Sequence, residues 1–288
     1  MFNEDSRVKI PAILHLCRLG YTYIPKSKQD RLEENNIFPD IFKRSISKIN
    51  PQISEEEIQR LLTDVSLKLN YDDLGREFFR SLVNTSGTKL IDFENFNNNE
   101  FHVTTELTCK KGDEEFRPDI TVLINGMPLV FIEVKKPNNR EGVIAERNRI
   151  NKRFALKDFR AFTNVTQLML FSNNMEYEDG VIEPIMGAYY ATPSKDGVMF
   201  NYFREEELLN YTNLLKPENE ELENLVLKDN NIVAIKYTDE FKLNKNYETP
   251  TNRIITSLLS KERLAFFLQF GITYVERTNR EGKIVIEK

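Results

Sequence analysis

Apolar positions recur at helical spacing through most of the first 85 residues, so this stretch predicts helix. Ser54-Glu55-Glu56-Glu57 opens one run, with Ile58, Leu61, Leu62, Val65 and Leu67 behind it and Ser54 as its N-cap. A second run, Asp72 to Val83, carries Leu74, Phe78, Phe79 and Leu82. The texture then changes. NTSGTK (84–89) is a turn, and KLIDFENFNNNEFHVTTELTC (89–109) alternates polar with apolar residues, which predicts strand–loop–strand. KKGDEE (110–115) is another turn. RPDITVLINGMPLVFIEVKK (117–136) holds two apolar runs around Asn125-Gly126, a β-hairpin pattern. Arg140 to Phe162 predicts a helix with mixed faces, QLMLFS (167–172) a short strand, and Pro184–Thr192 another. From Glu205 the chain returns to helix through EEELLNYTNLL (205–215) and NRIITSLLSKERLAFFLQFG (252–271). The order predicts an α/β protein: a helical amino-terminal part (1–75), a mixed β-sheet core flanked by helices (76–195) and a helical carboxy-terminal part (196–288).

Composition narrows the function. The 288 residues are 40% hydrophobic and 30% charged, ample for a sizeable core. The charged start, MFNEDSRVKI, has no apolar secretion segment, and no stretch reaches membrane-span length, so a soluble cytoplasmic protein is expected. Two cysteines give neither a disulfide framework nor a zinc spacing, and two histidines leave little room for imidazole metal sites or Ser-His triads. His15, among Leu14, Leu16 and Cys17, reads as a core residue, and His102 as a packing or surface residue of a strand. No G-x-x-x-x-G-K-[ST] is present. The net charge of −5 argues by itself against a nucleic-acid binder, but residues 135–160 carry nine basic side chains against three acidic ones. One basic segment on an acidic body suits a polyanion-facing surface; a solvated helix face is the plainer explanation.

The chemistry concentrates in the hairpin. Pro118-Asp119 is followed fourteen positions later by Glu133-Val134-Lys135. Residues two apart in a strand share a face, so Glu133 and Lys135 point together while Val134 packs. Two carboxylates brought together from adjacent strands form a hard-oxygen site suited to Mg²⁺, and an ammonium beside them can orient water and balance phosphate charge. Phosphodiester hydrolysis needs that set. The alternative is an exposed pair at a strand end. Register decides whether the set can form. A two-residue turn at Asn125-Gly126 pairs Ile124 with Met127 and sets Asp119 opposite Ile132, leaving Glu133 on the other face. An odd-length loop, Ile124-Asn125-Gly126 with Gly126 left-handed, or a bulge restores the common face.

Pro118-Asp119…Glu133-x-Lys135 resembles the PD-(D/E)xK nuclease motif. LIDFENFNNNEFHVTTELT (90–108), RPDITVLINGMPLVFIEVKKP (117–137) and QLMLFSNNME (167–176) together resemble the amino-terminal nuclease region of the restriction (R) subunit of type I restriction–modification enzymes. LLSKERLAFFLQFGITYVE (258–276) resembles the segment before that subunit's helicase motor. The resemblance spans roughly residues 70–288, in order. It implies a restriction-endonuclease-like core, and a chain that is the front part of a longer subunit whose motor alone uses ATP. It implies that Asp119 and Glu133 bind Mg²⁺ and that Lys135 positions or activates the attacking water. It implies as partners double-stranded DNA and the specificity and modification (methyltransferase) subunits. The family's Q-x-x-x-Y motif falls on ERNRINKRFALKDF, where Arg149 and Arg153 replace the Gln and Tyr.

Arg149 and Arg153 are one helical turn apart, so both can face a phosphate; they can equally pair with Glu146 and Asp158. Lys136 is a phosphate contact rather than a catalyst. Glu77 is either an additional acid near the metal or a solvated helix residue. The expected function is Mg²⁺-dependent DNA cleavage. Two competing readings are a DNA-holding scaffold without useful catalysis in isolation and a stand-alone repair nuclease.

Overall fold

The computed structural model describes residues 4–111, 114–136, 142–176, 187–194, 197–203, 209–279, 282 and 284–288. The strands are β1 (Thr22–Tyr23), β2 (Phe101–Thr105), β3 (Cys109–Lys111), β4 (Glu114–Phe116), β5 (Ile120–Ile124), β6 (Met127–Val134), β7 (Leu168–Ser172), β8 (Ala188–Ala191), β9 (Asn201–Tyr202), β10 (Val275–Thr278) and β11 (Ile284–Glu287). The helices are α1 (Ile10–Arg18), α2 (Pro39–Ile49), α3 (Glu55–Lys68), α4 (Arg76–Leu82), α5 (Gly142–Ala155), α6 (Arg160–Val165), α7 (Tyr211–Leu214), α8 (Glu220–Asp229), α9 (Asp239–Asn244), α10 (Pro250–Leu259) and α11 (Lys261–Phe266). A π-helical turn, Asp5–Lys9, leads into α1. Arg140 and Glu141, the start of the expected 184–192 strand, the 205–208 opening of the expected helix and the tip of the 110–115 turn lie outside the described residues. No described helix is long and apolar enough to cross a membrane.

Seven strands form one mixed sheet in the order β1-β2-β5-β6-β7-β8-β9. β6 and β7 run parallel, joined by a crossover through α5 and α6; β5 pairs antiparallel with both β2 and β6. Every residue of β5, β6 and β7 is buried, which explains their near-continuous apolar runs: both faces are covered. On one face Ile120, Val122, Ile132, Val134, Leu168 and Leu170 pack with the buried sides of α1, α2, α3 and α10. On the other, Phe131, Met169, Phe171 and Tyr189 pack with Val143 and Ile150 of α5 and with Phe159. The first of these cores draws residues from Val8 to Ile272, so all three expected segments contribute to it.

The hairpin solves its register problem by a bulge. Its loop is a two-residue turn, with Ile124 opposite Met127 and both Asn125 (φ 49) and Gly126 (φ 79) at positive φ, as a primed turn requires. Of the two expected alternatives, an odd-length loop or a bulge, the structure has the bulge. The Asn125 side chain fixes the tight turn, accepting from the Glu100 backbone N–H at 2.8 Å and donating to the Leu90 carbonyl at 2.9 Å. Further along, Val122 faces Val130 but Leu123 faces Pro128, so Leu129 is an extra residue on β6. Leu129 and Val130, although adjacent, both join the same core. Ile120 then sits opposite Ile132, and Asp119 and Glu133 share the other face.

Elsewhere the local chemistry adjusts the expected elements. α3 begins with a full capping box: Glu57 N–H donates to the Ser54 hydroxyl at 3.3 Å and Ser54 N–H to the Glu57 carboxylate at 2.8 Å. The second helix starts at Arg76 rather than Asp72, because Leu74 and Gly75 are left-handed and Asp73 accepts from the Gly75 and Glu77 N–H groups. Lys89–Phe93 is not a strand, since Asp92 gathers Asn95 N–H and the Asn98 amide into a turn. The 140–162 helix breaks at extended Leu156, and the 252–271 helix at extended Ser260. The carboxy-terminal part also holds the antiparallel pair β10–β11, which the helical expectation omitted.

Candidate functional site

Asp119 immediately precedes β5, Glu133 is the penultimate residue of β6 and Lys135 follows β6. The bulge brings all three together. The Lys135 ammonium donates to Glu133 Oε1 at 2.8 Å and lies 3.8 Å from Asp119 Oδ2. Asp119 Oδ2 accepts from the Val134 backbone N–H at 2.9 Å, which ties the start of β5 to the end of β6.

Burial sets the electrostatics. Glu133 is pushed up to about 8, by desolvation first and by the neighbouring Asp119 carboxylate second, with Lys135 only partly offsetting them. Asp119 is raised by burial, opposed by Lys135 and by the Val134 hydrogen bond. Burial alone would depress Lys135, but Glu133 and Asp119 outweigh it and hold the amine above its usual range. Two acids that resist ionising side by side, on neighbouring strands, are the donor chemistry a hard divalent cation relieves. Among the described residues no group of three or more His, Cys, Asp or Glu side chains forms a cation cage. Asp119 and Glu133 are the carboxylates that could hold such a cation; magnesium is an ion that keeps several waters and takes one or two carboxylates.

Two further acids border the site. Glu146 of α5 is buried, with its Oε2 3.8 Å from the Lys135 ammonium. Its signal in the sequence is an acid in an apolar stripe: Val143, Glu146 and Ile150, at i, i+3 and i+7, are all buried. Glu4 reaches in from the amino-terminal turn, accepting from the Lys136 backbone N–H at 3.1 Å; burial raises its pKa, with Lys135 opposing and Asp119 adding to the rise. No periodicity could connect positions so far apart in the chain.

Arg149 and Arg153 both pair with Glu146, at 3.1 and 3.3 Å, rather than with Asp158. Arg153 also lies over the Phe116 ring at 4.4 Å, while Arg149 stays 56% exposed. Lys136 is exposed beside the cluster. Glu77 is not part of it: on α4 its carboxylate is held by Arg80 at 2.6 Å and approached by Arg76 at 3.6 Å. His15 is buried against the Thr256 hydroxyl at 2.6 Å, and burial lowers it to about 3, consistent with a core role. His102 is also buried. Two concavities among the described residues, of about 440 Å³ beside Arg18, Tyr21 and Lys216 and about 790 Å³ beside Tyr23, Arg44 and His102, include none of the three clustered residues.

Comparison with known proteins identifies the family of the chain. Residues 1–178 match the family described as type I restriction enzyme R protein N terminus. The chain is 28% identical over 203 residues to the MjaIXP endonuclease subunit of Methanocaldococcus jannaschii, covering 62% of this chain and 19% of that one. It is 30% identical over 156 residues to the type I restriction enzyme SauMSSORF170P endonuclease subunit of Staphylococcus aureus, covering 54% of this chain and 15% of the other. It is 24% identical over 165 residues to the type I restriction enzyme HindI endonuclease subunit of Haemophilus influenzae, covering 51% and 15%. The aligned part thus spans under a fifth of each relative's length.

Proposed function

This chain belongs to the family of type I restriction enzyme R protein N termini, and we propose that it is the magnesium-dependent DNA endonuclease module of such a subunit. The observation that carries the reading is the convergence of Asp119, Glu133 and Lys135 on one side of β5 and β6, produced by a bulge in an otherwise tight hairpin. Asp119 and Glu133 would hold the ion, which when bound supplies Lewis acidity and neutralises charge developing on the phosphate. Lys135, fixed by Glu133, presents its remaining N–H groups to the attacking water or to a phosphate oxygen. Lys136, Arg149 and Arg153 face the DNA backbone as charge partners without reading bases. In this reading the ATP-driven translocation belongs to other parts of a longer subunit, and the specificity and modification subunits choose the DNA. The protein works in the cytoplasm, where that DNA is met.

The test is Mg²⁺-dependent nicking of plasmid by the wild-type chain, Asp119→Ala and Lys135→Ala. The expected result is loss of nicking by at least about a hundredfold in each variant, the scale of a removed acid–base or charge-stabilising group. Equal activity in all three would refute the catalytic reading and leave a DNA-holding scaffold.

A further inference from the structure

We infer that Glu146 is an internal stand-in for phosphate: it holds Arg149 and Arg153 beside Lys135 until a backbone phosphate of bound DNA displaces it. The inference rests on the endonuclease reading for the identity of the anion. Its basis is the geometry of one carboxylate. Glu146 sits in the buried stripe of α5, where an unpaired acid is strongly disfavoured. Three cations gather on it: Arg153 Nη1 at 3.3 Å from Oε1, Arg149 Nη1 at 3.1 Å from Oε2 and Lys135 Nζ at 3.8 Å from Oε2.

The grip on Oε2 is nonetheless poor. That buried oxygen has no hydrogen-bond partner among the described residues, so Arg149 approaches it at ion-pair distance without hydrogen-bond alignment. Asp158, the other acid of this stretch, forms no ion pair with either arginine among the described residues. A phosphodiester carries the same unit charge as a carboxylate and offers two free oxygens to a guanidinium fork. Arg149, mostly exposed, and Arg153, steadied by the Phe116 ring, can accept that exchange with small side-chain movements. While Glu146 holds them, one of the two arginine charges is already offset. DNA binding by this face is therefore weaker, and less dependent on salt, than its basic composition suggests.

The test uses the 288-residue chain, a labelled DNA duplex, EDTA and a series of salt concentrations, comparing wild type with Glu146→Gln. The proposal expects Glu146→Gln to bind about three- to tenfold more tightly, with the slope of log K against log salt steeper by up to about 2, near 0.9 for each arginine released. Arg149→Gln should then weaken binding more in the Glu146→Gln background than in wild type. A purely structural role would shift the melting temperature without steepening that slope. A folded Glu146→Gln variant with an unchanged or shallower slope overturns the proposal. If that variant does not fold, Glu146→Asp, which keeps the charge and withdraws it by one methylene, must steepen the slope in the same sense, and an unchanged slope there overturns it equally. Wild type that fails to bind DNA at any salt refutes the endonuclease reading and this inference with it. Wild type that binds and cleaves, beside an unaltered slope in the variant, refutes this inference alone.

Discussion

Glutamine at position 133 probes the electrostatic strain of the site directly. Burial and the Asp119 carboxylate push Glu133 up to about 8 in the folded chain, against about 4.3 for the ordinary side chain. A carboxyl raised in this way contributes stability that is fully present below its unfolded value and is lost as pH rises through its folded value. The metal-free chain should therefore lose stability between about pH 4.5 and pH 8 on account of this group. At 1.36 kcal/mol for each pH unit between the two values, the loss is at most about 5 kcal/mol. Asp119 shares the same titration, so roughly 2–4 kcal/mol is the realistic yield of one substitution. Near 2 °C for each kcal/mol in a chain of this size, Glu133→Gln should melt roughly 4–8 °C above wild type at pH 9 in EDTA, and close to wild type at pH 5. Millimolar MgCl₂ at pH 9 should raise the wild type and leave the variant nearly unchanged, because only ionised Glu133 completes the pair of donors. Thermal melts followed by circular dichroism at the two pH values provide the measurement. A melting difference that is the same at pH 5 and pH 9 would refute the claim that two buried acids repel each other here.

Two structural predictions accompany it. Gly126→Ala should lower stability by roughly 2–4 kcal/mol in denaturant titration, since φ is +79 and a Cβ would stand 2.7 Å from the Phe38 carbonyl oxygen; a loss below about 0.5 kcal/mol would contradict the tight primed turn. Ser54→Ala removes the hydroxyl half of the α3 capping box and should cost about 1 kcal/mol by the same assay, with plasmid nicking unaffected.

The hairpin and its acids were legible because their signals are local. Two apolar runs flanking Asn-Gly predict β5 and β6, and the alternation of a strand places Glu133 with Lys135. The need for a register change followed from counting residues, but its location did not. Nothing in PLVF marks Leu129 as the extra residue, and the turn is tight because Asn125 is pinned by Glu100 and Leu90 across the fold. The failures have the same origin. Lys89–Phe93 has strand composition, yet side-chain hydrogen bonds at Asp92 outcompete a ladder. Glu4 joins the site through a contact spanning 132 positions, which only tertiary packing creates. Glu146 was visible as a partner for arginine, and its place within an apolar stripe was the clue to its burial.

The single surplus residue in β6 makes the site a matter of parity. Side-chain swaps between Asp119 and Glu133 alter packing and leave the direction of both acids untouched. Gaining or losing one residue there with the bulge left in place turns one acid toward the α1 layer, whereas gaining or losing two turns it back. A lineage that keeps both acids facing one another can therefore change the length of this hairpin by two, or by one only when a bulge is lost or gained with it.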